Sequence, residues 1–218
     1  MPKLEGFGFF EKRTVRHAIS EGERALDKAL AEAFKDNDKF LKRVDDYFGA
    51  GQGGMDATTH LVMKTLSSMK VTYDMDIYRV LKGGDNPGTN ADAENIPQRD
   101  VGFKGSAQKK ARTARWQGTT IYQGRPVNAI EAAANVAGSY RLLEVRLYDL
   151  FFQMPSKKHH EQSQIETFLH ELSHVAAGTH DVDAPRCYGY SGVLHARRVG
   201  KGAMNAESYG MFLQSYLT

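Results

Sequence analysis

Apolar residues recur at helical spacing in three stretches of the first third of the chain. The first stretch begins after Ser20, which is a suitable helix N-cap, and the second covers residues 38–47. The third begins at Asp56, which can also cap a helix. Residues 1–19 show only a weak pattern, so we expect them to form an N-terminal arm. The pattern therefore predicts three helices in the first third of the chain.

The middle of the chain alternates between short apolar pieces and polar stretches. Residues 77–81 and 118–122 have the composition of short strands. The stretch 82–117 between them is rich in Gly, Asn, Asp and Lys, so we expect a long surface excursion. Residues 142–152 fit either a strand or a helix, because few of them are β-branched. Residues 205–217 are expected to form a final helix.

A further helix is predicted around the run His170-Glu171-Leu172-Ser173-His174, which has the form HExxH. At about 100° per residue, both histidines lie nearly opposite an apolar stripe. Because residues four apart are neighbours on a helix, the two imidazoles can bind one metal ion, with Glu171 placed to act on a bound water. This is the core of a zinc-dependent peptide hydrolase, although an unrelated pair of solvated histidines would show the same pattern. The stripe consists of Ile165, Leu169, Leu172 and Ala176.

The third metal ligand is not fixed by this spacing, and two interpretations remain open. A catalytic zinc ion usually has three protein ligands and an open position for water, and the candidates after His174 are His180, Asp181 and Asp183. With His180 the spacing is that of the metzincins, HExxHxxGxxH, except that Ala177 occupies the glycine position and a glycine follows one residue later. With Asp181 the turn after the helix has the form GTxD.

The combination of HExxH with GTxD resembles the aspzincins, the deuterolysin and peptidyl-Lys metalloendopeptidase family. The likeness extends over roughly residues 20–217 and includes further family-like segments. These are Tyr47-Phe48-Gly49, the segment Phe151-Phe152-Gln153-Met154-Pro155, Tyr188-Gly189 and Met204-Asn205-Ala206-Glu207-Ser208-Tyr209. The resemblance implies a single α+β domain over residues 20–218, with a zincin-like metalloprotease fold that is mainly helical and has a small β-sheet.

The resemblance also implies roles for the matched positions. His170, His174 and Asp181 would hold Zn²⁺. Glu171 would be the general base, and Tyr188 would stabilise the oxyanion. The implied activity is that of a zinc-dependent endopeptidase acting on protein or peptide substrates.

The chain departs from the family pattern in three places. Six residues separate Asp181 from Tyr188, where the family usually has two, so Tyr190 remains an alternative to Tyr188. The downstream acid is Glu207 rather than aspartate. Gly210 occupies the position of a second acid in the lysine-specific members, which leaves a lysine preference open.

Histidine ligands normally hydrogen-bond to an acceptor through their second ring nitrogen. Glu207 and Asp183 are the candidates for this acceptor, and either can equally be an ordinary surface carboxylate. His159 and His160 lie more than two turns before His170, so we expect them to be exposed rather than to bind the metal.

The composition is that of a globular protein, with 41% hydrophobic and 25% charged residues among 218 and a net charge of +3. This balance favours neither nucleic acid nor membrane as a partner, and no apolar run approaches the ~20 residues that span a bilayer. The sequence does not predict an oligomeric state. A basic cluster keeps a metal-stabilised binding module open as an alternative function. The cluster consists of Lys109, Lys110, Arg112, Arg115 and Trp116.

Cys187 is the only cysteine, which excludes an intramolecular disulfide. We expect a packed thiol rather than a nucleophile or a fourth metal ligand, because a fourth ligand would close the site to water. The first residues lack the charged-then-apolar form of a signal peptide. We therefore expect a cytoplasmic protein, or one exported without a signal peptide, such as an effector or a toxin.

Overall fold

The computed structural model describes residues 2–74, 78–84, 86, 88–97, 120–122, 125–127 and 141–217. The helices are α1 (Phe9–Lys35), α2 (Asn37–Phe48), α3 (Gly54–Asp74), α4 (Asp149–Gln153), α5 (Gln164–Ala177), α6 (Gly189–Arg198) and α7 (Ala206–Gln214), with a 3-10 turn at Gly202–Met204. The strands are β1 (Lys3–Glu5), β2 (Tyr78–Lys82), β3 (Ala91–Pro97), β4 (Thr120–Tyr122), β5 (Arg125–Val127) and β6 (Arg141–Leu147). The chain is an α+β protein, mainly helical with a small sheet, as predicted. No helix in these described ranges is both long and apolar enough to cross a membrane.

The main sheet has four strands in the order β1-β2-β6-β3. Strands β1, β2 and β6 run parallel to one another, whereas β3 pairs antiparallel with β6 and places Ala93 opposite Val145. Strands β4 and β5 form a separate antiparallel pair. Within the described residues, β3 is therefore an edge strand of the main sheet.

The N-terminal residues differ from the prediction. Instead of an arm over residues 1–19, β1 pairs with β2, and α1 begins at Phe9 rather than after Ser20. The side chain of Glu11 caps the start of α1, because it accepts the Gly8 backbone N–H at 2.8 Å. The prediction failed because Phe9 and Phe10 in the first turn of α1 are exposed and do not continue its buried stripe, and because a three-residue strand is too short to show alternation.

The other predicted elements lie close to the observed ones. Helix α2 and strand β2 differ from their predicted bounds by one residue, and the last helix ends at Gln214 rather than at residue 217. The ambiguous stretch 142–152 contains both a strand, β6, and a helix, α4. Strand β3 lies inside the predicted surface excursion, and the basic cluster at 109–116 falls outside the described residues.

Helix α5 lies at the centre of the fold. It packs against α1, α3 and α7, and it also contacts β3 and β6. Phe168, Leu169 and Leu172 are fully buried on this helix. Burying one such side chain contributes about 1.5–3 kcal/mol, so α5 is a rigid support for the polar residues that it carries.

Candidate metal centre

Helix α5 sets the relative position of the two histidines. Its N-terminus is capped by Ser163, whose Oγ accepts the Glu166 backbone N–H at 3.2 Å. Its C-terminus is Gly178, with φ +69° and a backbone N–H that donates to the His174 carbonyl at 2.9 Å. A residue with a side chain rarely adopts this left-handed conformation, so the glycine allows the chain to turn back at once. The turn brings Asp181 beside the histidines of the preceding helix.

Three ligand-type atoms converge at this point. The Nε2 atoms of His170 and His174 are 3.1 Å apart, and Asp181 Oδ1 lies 3.1 Å from the first and 3.5 Å from the second. Tetrahedral zinc with ligand distances of about 2.0–2.1 Å would separate its ligand atoms by about 3.3 Å. The buried Oδ1 atom makes no hydrogen bond of acceptable geometry within the described residues, despite these close nitrogens. The three side chains therefore fit a shared divalent cation.

The second ring nitrogen of each histidine faces an acceptor. His170 Nδ1 lies 2.9 Å from Glu207 Oε2, and His174 Nδ1 lies 2.7 Å from the Thr179 carbonyl oxygen. Because a carbonyl oxygen can only accept, His174 carries its proton on Nδ1, and the carboxylate favours the same tautomer at His170. In the neutral rings that bind metal, both Nε2 atoms then have a lone pair directed at the shared point. This is the arrangement that metal-binding histidines require.

Carboxylates surround His170. Burial by itself would lower the pKa of the imidazole, but contacts with Asp181 and Glu207 raise it overall. Burial likewise opposes ionisation of Asp181, and the two histidines nevertheless hold the pKa of this carboxyl well below its usual range. The site therefore stabilises positive charge at its centre, as a cation site must.

The position of Asp181, the candidate third ligand, is set by backbone hydrogen bonds between its neighbour His180 and the residues around the start of α7. The His180 backbone N–H donates to the Met204 carbonyl at 2.8 Å, and the His180 carbonyl accepts the Ala206 N–H at 3.0 Å. These bonds fix the backbone next to Asp181. The His180 side chain is exposed and belongs to no group of converging ligand atoms in the described part of the chain. The structure therefore brings Asp181, and not His180, to the two imidazoles.

Glu171 and Tyr188 each lie close to one of the candidate ligands. Glu171 Oε1 is 4.0 Å from His170 Nε2, and burial raises the pKa of this carboxyl, an effect that the two histidines reduce. The Tyr188 hydroxyl donates to Asp181 Oδ2 at 3.1 Å. Tyr190 instead stacks on His160, with ring centroids 3.9 Å apart. Of the two tyrosine candidates, Tyr188 is the one beside the converging ligands.

The acceptors predicted for the histidines have separate roles. Glu207 is buried and connects His170 to α6, because its Oε1 accepts the Gly189 backbone N–H at 2.6 Å. Asp183 is instead hydrogen-bonded to His195, with 2.9 Å between Oδ2 and Nε2. Of the two carboxylates predicted as acceptors, Glu207 is therefore the one that contacts a ligand histidine.

A cleft with a volume of about 700 Å³ contains these residues. One wall is formed by residues 88–93, which include the start of β3. The described residues that line the cleft include no lysine or arginine. Five carboxylates line it, namely Asp92, Glu166, Glu171, Asp181 and Glu207.

Sequence reasoning did not single out Glu166. Its side chain is only 1% exposed, and burial together with the neighbouring Glu207 raises the pKa of its carboxyl. Gly210 on α7 leaves the room that Glu166 occupies, since a Cβ at position 210 would lie 2.5 Å from Glu166 Oε1. The available signal was an acid four residues before His170, which places it on the same face of the helix as that histidine.

An α+β fold in which two histidines of one helix and an aspartate converge beside a cleft presents a candidate zinc site of the kind that metallopeptidases use. The family model for lysine-specific metallo-endopeptidases of the aspzincin M35 type matches residues 103–214, just over half of the chain. A solved structure titled zinc peptidase from Grifola frondosa is similar over 96% of this chain and 97% of its own, with a TM-score of 0.59 and 17% sequence identity. This likeness concerns the fold alone, and a search among curated proteins gave no match.

The chain belongs to the aspzincin family and is a zinc metalloendopeptidase. The resemblance noted in the sequence is thereby confirmed.

Proposed function

We propose that the chain hydrolyses peptide bonds with Zn²⁺ held by His170, His174 and Asp181. The observation that carries the proposal is the convergence of three ligand atoms within 3.1–3.5 Å of one another. The acceptors behind both imidazoles support the same assignment. When bound there, zinc would act as a Lewis acid and lower the pKa of a coordinated water toward about 7.

In this proposal Glu171 is the general base. Its carboxylate takes a proton from the attacking water and then transfers it to the leaving amine. Burial raises the pKa of the Glu171 carboxyl, which brings its basicity closer to what proton transfer near neutral pH needs. The helix holds Glu171 rigidly, so the base needs little reorganisation during the reaction.

Tyr188 is proposed to stabilise the developing oxyanion. Its hydroxyl is beside Asp181, and its side chain lines the cleft and is partly exposed, so it can reach a substrate carbonyl. A preorganised donor of this kind typically contributes about 10²- to 10³-fold to the rate.

Glu171→Gln tests the mechanism. The amide has the same shape but cannot accept the proton, so we expect the rate of casein hydrolysis to fall by about 10²- to 10⁴-fold while zinc content stays at one ion per chain. Glu161→Gln is the matched control, because Glu161 is an exposed glutamate paired with Lys158 outside the cleft. Normal casein cleavage by Glu171→Gln would contradict the proposed role.

A chelator separates this function from the metal-stabilised binding module. For the peptidase, removal of zinc abolishes hydrolysis and added zinc restores it. A binding module would show no hydrolysis in either state, and nucleic-acid binding with a steep salt dependence would favour it.

The acidic cleft supports a preference for basic substrate side chains. The family description names lysine. In this chain Glu166 packs directly against Gly210. Its Oε1 atom has no hydrogen-bond partner within the described residues, so it can accept from a basic side chain of the substrate. A peptide library with Lys, Gln and Glu varied on either side of the cleaved bond tests the preference. Equal rates for all three residues at every position would contradict it.

A further inference from the structure

The connection between Asp181 and Tyr188 is longer in this chain than in the aspzincin pattern. We call residues 182–187 the connecting loop. Its first residue is fixed to the segment before α7, because the Val182 N–H donates to Asn205 Oδ1 at 3.3 Å. Its other end leads through Tyr188 into α6. The loop therefore decides where Tyr188 lies relative to Asp181.

A hydrogen-bonded contact with His195 fastens the middle of the connecting loop to α6, and an ion pair links the loop to Lys201, which follows that helix. Asp183 Oδ2 lies 2.9 Å from His195 Nε2, and Lys201 Nζ lies 3.8 Å from Asp183 Oδ1. The Asp183 backbone has φ +58°, and its carbonyl accepts the Arg186 N–H at 3.0 Å in a turn. Aspartate adopts this left-handed conformation more readily than most residues, so it suits both the turn and the contact with α6.

A close backbone contact fastens the end of the connecting loop to the same helix. Cys187 is fully buried, and its backbone lies directly against Gly192 of α6. A Cβ atom at position 192 would be 2.0 Å from the Cys187 carbonyl oxygen and 2.1 Å from its carbonyl carbon. No side chain fits between these two backbone segments, so glycine is required for this approach.

We propose that Asp183 and Gly192 are positioning residues, which hold the connecting loop on α6 so that the Tyr188 hydroxyl stays beside Asp181. A loop of six residues has more conformations to restrict than one of two, and two fixed points compensate for that freedom. A displacement of about 1 Å in a catalytic group can reduce a rate by about 10²-fold. This inference rests on the role proposed for Tyr188.

The buried thiol of Cys187 gives a readout that does not depend on activity. It is the only cysteine of the chain, and burial raises its pKa to about 11, so a thiol reagent modifies it only when the loop opens. We expect Asp183→Ala to speed modification by up to about fivefold, as expected for an exposed ion pair. Gly192→Ala should speed it by about tenfold or more, because the overlap forces the backbones apart.

Two control variants match these changes. Asp46→Ala also removes an aspartate from a side-chain contact of 2.9 Å, with Lys42, and the Asp46 side chain is 47% exposed, against 46% for Asp183. Gly84→Ala places a methyl group where no atom of the described residues lies within 4 Å. Neither control should change the rate of Cys187 modification or the rate of peptide hydrolysis.

A double-mutant cycle tests whether the loop acts through Tyr188. Asp183→Ala should lower kcat in the wild-type background, with zinc content unchanged, and should have little further effect when Tyr188→Phe is already present. Asp183 lies at the surface, so this variant remains informative even where Gly192→Ala fails to fold.

The outcomes are distinct. Unchanged Cys187 modification in both variants, or equal losses of kcat with and without the tyrosine hydroxyl, would overturn the inference. Full activity of Tyr188→Phe alone would instead remove the catalytic role of Tyr188, and faster Cys187 modification would still be expected.

Discussion

The Glu207→Gln variant tests how much the contact between Glu207 and the ligand His170 contributes to the affinity for zinc. The Glu207 carboxylate accepts from His170 Nδ1 at 2.9 Å and from the Gly189 N–H at 2.6 Å. Glutamine has one carbonyl oxygen, so it can satisfy one of these two donors while its NH₂ group faces the other. The substitution therefore removes a buried, charge-assisted hydrogen bond without creating a large cavity.

The magnitude follows from these contacts. A hydrogen bond to a charged group contributes about 1.5–3 kcal/mol. Loss of the hydrogen-bond acceptor of a ligand histidine typically weakens metal binding by about 10- to 100-fold. Since about 1.4 kcal/mol corresponds to a tenfold change in Kd, this loss agrees with the range for the hydrogen bond. Removing a negative charge next to the buried Glu166 relieves some repulsion, so the metal-free protein should lose less stability than the metal site loses affinity.

The assay is a competition titration of zinc between the protein and a chromogenic chelator at constant pH. We expect Glu207→Gln to raise the Kd for zinc by about 10- to 100-fold, with far-UV circular dichroism unchanged. Glu161→Gln serves as the control, because it removes an exposed carboxylate outside the cleft. If the Kd of Glu207→Gln for zinc stayed within about twofold of the wild-type value, Glu207 would not be the residue that orients His170 for zinc binding.

Two further predictions concern packing and metal removal. Gly210→Ala should lower the free energy of unfolding by about 1–3 kcal/mol, measured by urea denaturation, because the new Cβ would lie 2.5 Å from Glu166 Oε1 and 2.8 Å from the Glu166 carbonyl oxygen. Gly84→Ala is the control, since its methyl group meets no atom within 4 Å in the part of the chain that the structure describes, and equal stability of the two variants would contradict the close packing. Removal of zinc should also lower the melting temperature, and stoichiometric zinc should restore it, since the ion binds only the folded site. An unchanged melting temperature would show that no ion is bound there.

Helix α5, which carries both histidines, was predictable from the sequence because the features that indicate it are local. The apolar stripe around Leu169 and Leu172 shows helical periodicity, and the histidine spacing follows from the same helix. The glycine after the helix indicated the turn. These features depend on residues that are close together in the chain, so one sequence is enough to recognise them.

The choice between His180 and Asp181 depended on contacts that sequence spacing does not contain. The backbone of His180 is fixed by Met204 and Ala206, more than twenty residues later in the chain. These bonds determine which of the two adjacent side chains faces the imidazoles. Likewise, Glu166 becomes notable only because Gly210 of another helix leaves space for it.

The sheet was also only partly predictable. Strand β3 lies in a polar stretch and pairs with β6, which follows more than forty residues later. Its polar composition reflects a position at the edge of the sheet beside the cleft, where alternation of buried apolar residues is not needed. Strand β1 is short, and all of α1, α2 and α3 lie between it and its partner β2 in the chain. Such non-local pairing leaves no periodic signal in the sequence.

The zinc content of the His180→Ala and Asp181→Ala variants decides whether Asp181 is the third ligand of a zinc ion shared with His170 and His174. After dialysis against a weak chelator, atomic absorption should find about one zinc ion per chain in His180→Ala, as in the wild type, and almost none in Asp181→Ala. Retention of zinc by Asp181→Ala together with its loss from His180→Ala would contradict the account.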